Sequence, residues 1–471
     1  MDSVYFIGIG GIGMSALARW FLKEGKHVGG YDRTETPLTR QLAEEGASIH
    51  YVDDAGMIGE RFRDPAKSVV VYTPAVPADH SELRWFRDNG FEVLKRSEVL
   101  GVLAEGRYVM AVAGTHGKTT TTTMVAWLNH IAGGGGSAFL GGISKNFGSN
   151  LVAGPGDRFA VEADEFDRSF LRLHPDVALI TSADPDHLDI YGTHGSLLEA
   201  FAQFADQIRE GGSLIMHTGA EIPTANNGIS TYRYSFGSGD FHAGNISIGD
   251  DGTYRFDIVC PDRTIVGCRL GIPGRINVEN AIGAVGLMWA AAHQRGEALD
   301  EEGIRKALDT FSGVRRRFDF HINTTSLIYM DDYAHHPEEL RAAIGSVREM
   351  FPGRRITAIF QPHLYSRTRD FYTGFAEALS LADDVVLLPI YPARELPIEG
   401  VSSEMIADRL TVPYRIVPLA DIASEIARIP GLYIVIWCGG ADSDTKCGDI
   451  ALDLGSDGGQ NHNNPTKTGK E

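Results

Sequence analysis

The residues best suited to chemistry run Ala113-Gly-Thr-His-Gly-Lys-Thr-Thr120, after the apolar stretch Tyr108–Val112 and ahead of an amphipathic segment from Thr121 to Ile131. The expected order is strand, phosphate loop, helix. Glycines delivered to a helix N-terminus place bare N–H groups and the positive end of the helix dipole around an anion. Lys118 adds a mobile cation, and the Thr119 hydroxyl can reach a phosphate-bound Mg²⁺. The ordinary phosphate loop has a glycine five residues before the Gly-Lys pair, where this chain carries Val112. The motif is therefore a shorter variant, with a histidine, His116, that the ordinary pattern does not explain.

Two further apolar segments end in acidic clusters. Phe159-Ala-Val161 leads into Glu162-Ala-Asp-Glu-Phe-Asp167, and Val177–Ile180 leads into Thr181-Ser-Ala-Asp-Pro-Asp-His-Leu-Asp189. Mg²⁺ takes hard oxygen ligands and keeps some waters, and a nearby imidazole can complete or orient the shell. Each cluster alone also reads as a solvated loop, but a phosphate loop upstream favours the metal reading. A second glycine loop, Gly8-x-Gly10-x-x-Gly13, follows an apolar strand that starts at Ser3, and Asp32 ends the next strand, His27–Tyr31. That is the dinucleotide fingerprint, so a nucleotide or dinucleotide is expected there, NAD(P) among the candidates. The strand Ser68–Tyr72 ends in Thr73-Pro-Ala-Val-Pro77, a turn that can line the same crevice. Gly313-Val-Arg-Arg-Arg-Phe318 reads either as an anion contact or as a solvated turn. Gly271 to Ala281 starts a helix, where an Asn is usually a cap; that reading suits Asn277 better than Asn280.

These residues need elements to hold them, and the chain divides where its patterns restart. A helix from Ser97 to Glu105 stops at Gly106 and a new strand begins at Tyr108. Residues 238–270 alternate short strands with turns such as Asp250-Asp-Gly252. Beyond them, Leu327–Met330 runs into Asp331-Asp-Tyr-Ala-His-His-Pro-Glu338, Ile356–Phe360 into Gln361-Pro-His-Leu-Tyr-Ser-Arg-Thr-Arg369, and Asp384–Leu388 into Pro389-Ile-Tyr-Pro-Ala-Arg-Glu395. Strand and helix alternate, which is the pattern of a parallel sheet. The expected fold is α/β in three domains. A Rossmann-like domain covers 1–106, a central phosphate-loop ATPase-type domain with a parallel or mixed sheet covers 107–318, and a C-terminal Rossmann-like α/β domain covers 319–455. The pattern decays from Cys438, and the polar stretch 456–471 reads as a disordered tail.

Composition agrees with that plan. A chain of 471 residues accommodates about three domains of ~150 residues. Its 43 Lys and Arg against 62 Asp and Glu give a formal charge of −19, the wrong sign for a nucleic-acid binder held by phosphate contacts. Anionic substrates must therefore meet local basic residues. Cys260, Cys268, Cys438 and Cys447 follow no metal-clip spacing and read as plain thiols of a reducing compartment. No apolar run approaches ~18 residues and the N-terminus shows no signal pattern, so a cytoplasmic protein without integral membrane contact is expected.

Taken in order, Gly114-Thr-His-Gly-Lys-Thr-Thr-Thr-Thr122, Glu162-Ala-Asp-Glu165, Asp186-His-Leu-Asp-Ile-Tyr191, Gly313-Val-Arg-Arg-Arg-Phe318, Asp332-Tyr-Ala-His-His-Pro337 and Phe360-Gln-Pro-His363 resemble the bacterial Mur ligases. The resemblance covers about residues 3–435. It implies that the first glycine loop holds the UDP part of a sugar nucleotide rather than NAD, with Gly8, Gly10, Gly11, Gly13, Met14, Ser15, Asp32, Thr73, Ala75 and Tyr333 as substrate-binding residues. It implies ATP at Gly114, Thr115, His116, Gly117, Lys118, Thr119 and Thr120, with Asn280, Arg317 and Asp332 as further contacts. Mg²⁺ would be held by Thr119, Glu162 and His187, although His187 also reads as a structural loop histidine. Lys118, His187, His335 and Arg367 are the implied catalytic residues, with Tyr333, His335 and Arg367 brought over the reacting groups by domain closure. The implied reaction joins L-alanine to the lactyl carboxylate of UDP-N-acetylmuramate through an acyl phosphate, in a monomer or homodimer.

Two departures stand out. Leu364 takes the place of an arginine common in relatives, for which Arg367 or Arg369 would compensate. Cys438-Gly-Gly-Ala-Asp-Ser-Asp444 replaces the family's Gly-Ala-Gly-Asp-Ile, so no functional residue is carried onto the last ~30 positions. Three rivals remain: a ligase recycling a ready-made tripeptide, against which Asp186-His-Leu-Asp-Ile-Tyr-Gly192 speaks; an NAD-dependent oxidoreductase, which leaves the second phosphate loop unexplained; and a non-catalytic nucleotide-binding regulator, which needs neither metal ligands nor closing arginines.

Overall fold

The computed structural model describes residues 1–186, 188–249, 252–324, 327–392, 395–426 and 433–439. His187, residues 440–471 and the expected tail 456–471 therefore lie outside the described residues. The described chain forms two compact units. The first takes residues 1–249, 253–272 and 277–313, and the second takes Gly252, Pro273–Ile276 and the chain from Val314 onward.

The first unit opens with five parallel strands, β1 (Ser3–Ile7), β2 (His27–Tyr31), β3 (Ser48–His50), β4 (Ser68–Tyr72) and β5 (Glu92–Lys95), in the order β3-β2-β1-β4-β5. All of β1 is buried, as expected of a parallel strand covered on both faces. The strand order reverses between β1 and β4, and such a switch point opens a crevice outside the carboxyl ends of the strands. Gly8 lies there, beside Thr73.

Seven strands follow in the same unit: β6 (Tyr108–Ala113), β7 (Ser137–Ser144), β8 (Ser149–Val152), β9 (Arg158–Glu162), β10 (Val177–Ile180), β11 (Ser213–His217) and β12 (Ser230–Tyr234), ordered β12-β11-β10-β6-β9-β7-β8. Only the β7–β8 pair is antiparallel, so the sheet is mixed. The phosphate-loop strand β6 runs between β9 and β10, the two strands that end in acidic clusters. The helix Lys118–Ala132 is buried on every face from Thr119 to Ala126, unlike the amphipathic segment expected there, and its Thr122 and Thr123 hydroxyls donate to the carbonyls of Lys118 and Thr119. A three-stranded antiparallel meander, β13 (His242–Ile248), β14 (Tyr254–Val259) and β15 (Thr264–Arg269), completes the strands of the unit. The first two sheets share a core: the Trp20 ring lies 5.6 Å from that of Phe139, and Arg19 donates to Asn150.

The second unit carries β16 (Asp319–Asn323), β17 (Leu327–Asp332), β18 (Arg355–Gln361), β19 (Asp384–Leu387), β20 (Tyr414–Ile416) and β21 (Tyr433–Gly439), ordered β16-β17-β21-β18-β19-β20. Only β16 runs antiparallel. Periodicity fades at the end of the chain, yet β21 occupies the middle of this sheet, and its Ile434, Val435, Ile436, Trp437 and Cys438 are fully buried. A central strand is continuously apolar and carries no alternation to announce it. Replacing Ile436 by Ala is expected to lower stability by about 2–5 kcal/mol, read as a lower calorimetric transition temperature. A loss below ~1 kcal/mol would contradict a central position for β21.

Candidate nucleotide and substrate sites

The loop between β6 and the helix Lys118–Ala132 is built from bare backbone resting on a neighbouring strand. Gly114 has φ of 133°, and a Cβ there would stand 2.1 Å from Thr181 Oγ1 and 2.8 Å from the Ser182 nitrogen. Gly117 is left-handed at φ 79°, where a Cβ would meet Asn280 Oδ1 at 2.9 Å. Only glycine combines that conformation with that space. The loop is propped from β10: the His116 N–H donates to Ser182 Oγ (2.8 Å), the Thr181 hydroxyl donates to the His116 carbonyl (2.5 Å), and Thr115 Oγ1 lies 2.9 Å from Ser182 Oγ. His116 itself faces Asp184, Nε2 to Oδ2 3.6 Å. Thr181 and Ser182 support the loop from the far side of a sheet pairing that local spacing does not report.

Lys118 folds back across its own loop. Its Nζ donates to the Gly114 carbonyl (2.6 Å) and to the carboxylate of Glu165 (2.8 Å), which is fully buried. Burial opposes charge on this lysine, but Glu165, Asp164 and Glu162 outweigh it and raise its pKa above the ordinary value. Thr119 donates to Glu162 Oε1 (3.0 Å), and the Gly141 N–H donates to Glu162 Oε2 (3.0 Å). A hydroxyl and a carboxylate thus meet at the mouth of the loop, a pair of hard oxygens suited to Mg²⁺. His187, the third expected ligand, lies outside the described residues. Thr120 is buried in the first turn of the helix.

Asn277 and Asn280 both lie inside the helix Arg275–Arg295, in its first and second turns, and both are buried. Asn277 is therefore not the cap that the sequence suggested. The helix starts at Arg275, two positions earlier, after the left-handed Gly274 (φ 101°). Asn280 reaches the phosphate loop at Gly117.

The N-terminal glycine loop is equally crowded. A Cβ on Gly8 would stand 2.6 Å from Thr73 Cγ2, and one on Gly10 would stand 2.8 Å from Asp32 Oδ2, which accepts the Gly10 N–H at 2.7 Å. Gly11 ends the loop ahead of the helix Ile12–Lys23. Met14 is buried, and the buried Ser15 hydroxyl donates to the Ile12 carbonyl and accepts from Asn150 (2.9 Å), so it turns inward. Thr73 is half-buried and Ala75 exposed in the turn after β4. Arg96 was not singled out from the sequence, yet its side chain crosses Gly13, where a Cβ would meet Cδ at 2.9 Å.

In the second unit, the residues expected to act collect at the carboxyl ends of β17 and β18. Asp332 accepts the backbone N–H groups of Phe318 and Ala334, each at 2.8 Å, and burial pushes its carboxyl up to about 6. The arginine run is no solvated turn beyond Arg315. Arg316 and Arg317 stack on Tyr333 at 4.7 and 5.4 Å, Arg316 faces the buried Asp331 (3.4 Å), and Arg317 faces Glu339 (3.5 Å). His335 Nδ1 lies 2.8 Å from the Tyr333 carbonyl, and its ring lies 6.4 Å from that of His363. Burial holds His335 down at about 4, with Glu339 opposing and Arg367 and Arg317 assisting. Leu364 sits at φ 73° ahead of the helix Tyr365–Leu379 that carries Arg367. Arg369 forks onto its neighbour Asp370 (2.7 Å).

Two bare glycine loops, each at a sheet edge and each opening a helix, define a nucleotide-binding α/β protein. Residues 3–108 match the Mur ligase family catalytic domain, residues 112–288 the Mur ligase middle domain, and residues 316–432 the Mur ligase glutamate ligase domain. The UDP-N-acetylmuramate–L-alanine ligase of Phocaeicola vulgatus is 53% identical over 412 residues, 87% of this chain and 88% of that protein. The enzyme of the same name from Parabacteroides distasonis is 48% identical, covering 94% and 95%. The crystal structure of the UDP-N-acetylmuramate-alanine ligase of Thermotoga maritima superposes with a TM-score of 0.79 at 26% identity, covering 97% of this chain and 99% of that one. The chain belongs to the Mur ligase family. Among the described residues, no helix is long and apolar enough to cross a membrane.

The depressed His335 sets a pH dependence with a definite sign. Below pH 6.5 the unfolded chain takes up a proton that the folded ring refuses until about pH 4, so stability is lost as pH falls through that window, by about 2–3 kcal/mol. Asp332, pushed up to about 6, acts oppositely: its contribution is present below the ordinary carboxyl range and lost as pH rises through 6. Comparing wild type with His335→Gln isolates the histidine. Denaturant titrations at pH 7 and pH 4.5 are expected to show wild type losing about 2 kcal/mol more than the variant, and equal losses would contradict a half-buried ring held neutral.

Proposed function

We propose that this chain is an ATP-dependent ligase that joins L-alanine to the lactyl carboxylate of UDP-N-acetylmuramate. The observation that carries the reading is the phosphate loop with Lys118 at its centre and the Thr119–Glu162 pair at its mouth, in a chain so similar over most of its length to ligases of that name. A carboxylate oxygen attacks the γ-phosphorus of ATP, ADP leaves, and an acyl phosphate forms; the amine of L-alanine then attacks the carbonyl carbon and phosphate leaves. Both partners in the first step are anions, so neutralising charge matters more than a base. Lys118 supplies a buried cation at the phosphates. Thr119, Glu162 and His187 would hold Mg²⁺, which when bound adds divalent charge at the same place.

The remaining roles follow the motif match. Gly8, Gly10, Gly11, Gly13, Asp32, Thr73 and Ala75 would hold the UDP portion, helped by Met14 and Ser15 through the packing of the loop. Asn280, Arg317 and Asp332 would contact ATP, and Tyr333, His335 and Arg367 the amino acid and acyl phosphate. The domain limits 1–106, 107–318 and 319–455 belong to the same reading.

Phosphate release is expected to require UDP-N-acetylmuramate and L-alanine together. Equal release with L-Ala-D-Glu-diaminopimelate and poor release with alanine would instead favour a tripeptide-recycling ligase. Lys118→Ala is expected to cut turnover about 10²–10³-fold while UDP-N-acetylmuramate still binds in titration calorimetry. Loss of sugar-nucleotide binding in the folded variant would show that the two glycine loops are assigned the wrong way round.

A further inference from the structure

One line of contacts in the first unit joins the two glycine loops. Arg96 follows β5 directly, and its side chain crosses Gly13, so that a Cβ there would stand 3.0 Å from Nη1. Its Nη2 donates to Asp164 Oδ2 at 3.3 Å. The next residue, Glu165, holds Lys118 of the other loop at 2.8 Å. Lys95 braces the same segment through Asp167 at 3.0 Å. The segment has little freedom to adjust one residue at a time. Asp167 and Arg168 are both left-handed, at φ 50° and 55°, a conformation that non-glycine residues keep only when their surroundings over-determine it. Here the Arg168 N–H donates to the Glu165 carbonyl, the Phe170 N–H to the Asp164 carbonyl, and the Tyr191 hydroxyl to the Glu165 carbonyl (2.6 Å).

We propose that Asp164–Arg168 couples the two loops: an anion on the N-terminal loop draws Arg96 from Asp164, a phosphate on the second loop draws Lys118 from Glu165, and each event favours the other. One over-determined segment carries both carboxylates, so a shift of the segment when Arg96 leaves Asp164 moves Glu165 from Lys118 as well, and this movement outweighs the pull that the bared Asp164 exerts on the lysine. By linkage the coupling factor is the same in both directions. Arg96 and Asp164 are thus positioning residues that make binding at one loop report to the other. The choice of UDP-N-acetylmuramate as the first anion rests on the proposed function.

Titration calorimetry on the full chain tests this with β,γ-imido-ATP and Mg²⁺, with and without saturating UDP-N-acetylmuramate. The sugar nucleotide is expected to tighten imido-ATP binding roughly fivefold or more, and the same factor should appear with the ligands exchanged. In Asp164→Asn, which keeps the shape but releases Arg96, UDP-N-acetylmuramate alone should bind more tightly while the factor falls towards one. Arg96→Gln should also bring the factor towards one, and the double variant should lower it no further. A wild-type factor of one, or a factor unchanged in both single variants, overturns the proposal. So does an Asp164→Asn protein that weakens both ligands alike, the mark of a merely structural role. A wild-type protein that binds imido-ATP but no UDP-N-acetylmuramate overturns instead the reading of the N-terminal loop on which the proposal rests.

Discussion

The contact of Lys118 with Glu165 sets the terms for the first unit, because an ammonium group has to stay charged where water is largely excluded. Burial alone would drive the lysine towards neutrality, and the neighbouring carboxylates reverse that. Leaving either member of such a pair alone costs ~3–5 kcal/mol, so Glu165 must be delivered to the loop from far along the chain. Placing β9 beside β6 does this. The other neighbour, β10, brings Thr181 and Ser182 against the far side of the loop. The glycines at 114 and 117 follow from that enclosure, since support on one side and Asn280 on the other leave no room for a Cβ. The order β10-β6-β9 is thus a requirement of the site as much as of the core.

The N-terminal loop uses the same grammar with a different filling. Its helix N-terminus, its glycines and its switch-point crevice are those of a dinucleotide site, and Asp32 ends the second strand where a ribose-binding carboxylate would. In this protein Asp32 accepts the Gly10 N–H and also the Thr34 N–H at 3.3 Å, so it shapes the loop as well as standing ready at its rim. A fingerprint of this kind describes a backbone cradle for phosphate and says nothing of what is attached to the phosphate. That is why the same residues, taken alone, are equally open to NAD.

Legibility in the sequence tracked distance along the chain. The strands β1, β2, β4, β6 and β10 and the loops that follow them were readable because a parallel strand and the turn at its carboxyl end are contiguous, and Val177–Ile180 and Ser68–Tyr72 have the expected limits. The supporting residues were not readable. Thr181 and Ser182 matter because β10 lies beside β6, Glu165 because β9 does, and Arg96 because β5 ends near Gly13; no local spacing encodes these pairings. The arginine run was ambiguous for a related reason: Arg316 and Arg317 owe their order to Tyr333 and to two carboxylates further along the chain. Asn277 was misjudged as a cap because the helix begins behind Gly274, whose left-handed turn no pattern of apolar residues reveals. β21 is as continuously apolar as β10, and its place between β17 and β18 rests on parallel pairings that no local spacing encodes.

The strongly acidic balance of the chain gives these pairings a further meaning. Around the two glycine loops, Lys118 faces Glu165, Arg96 faces Asp164 and Lys95 faces Asp167; in the second unit Arg316 faces Asp331 and Arg317 faces Glu339. On the proposed reading, an anionic ligand arriving at either loop would exchange one partner of a cation for another. The net gain is then the difference between two charge-assisted contacts, which is smaller than either. Such a difference is sensitive to geometry: a phosphate seated on the bare N–H groups of a glycine loop would gain a second set of contacts with which to compete against the resident acid. In a protein of net charge −19, long-range attraction does not favour anions, and on the proposed reading partner exchange at the loops would select among them locally.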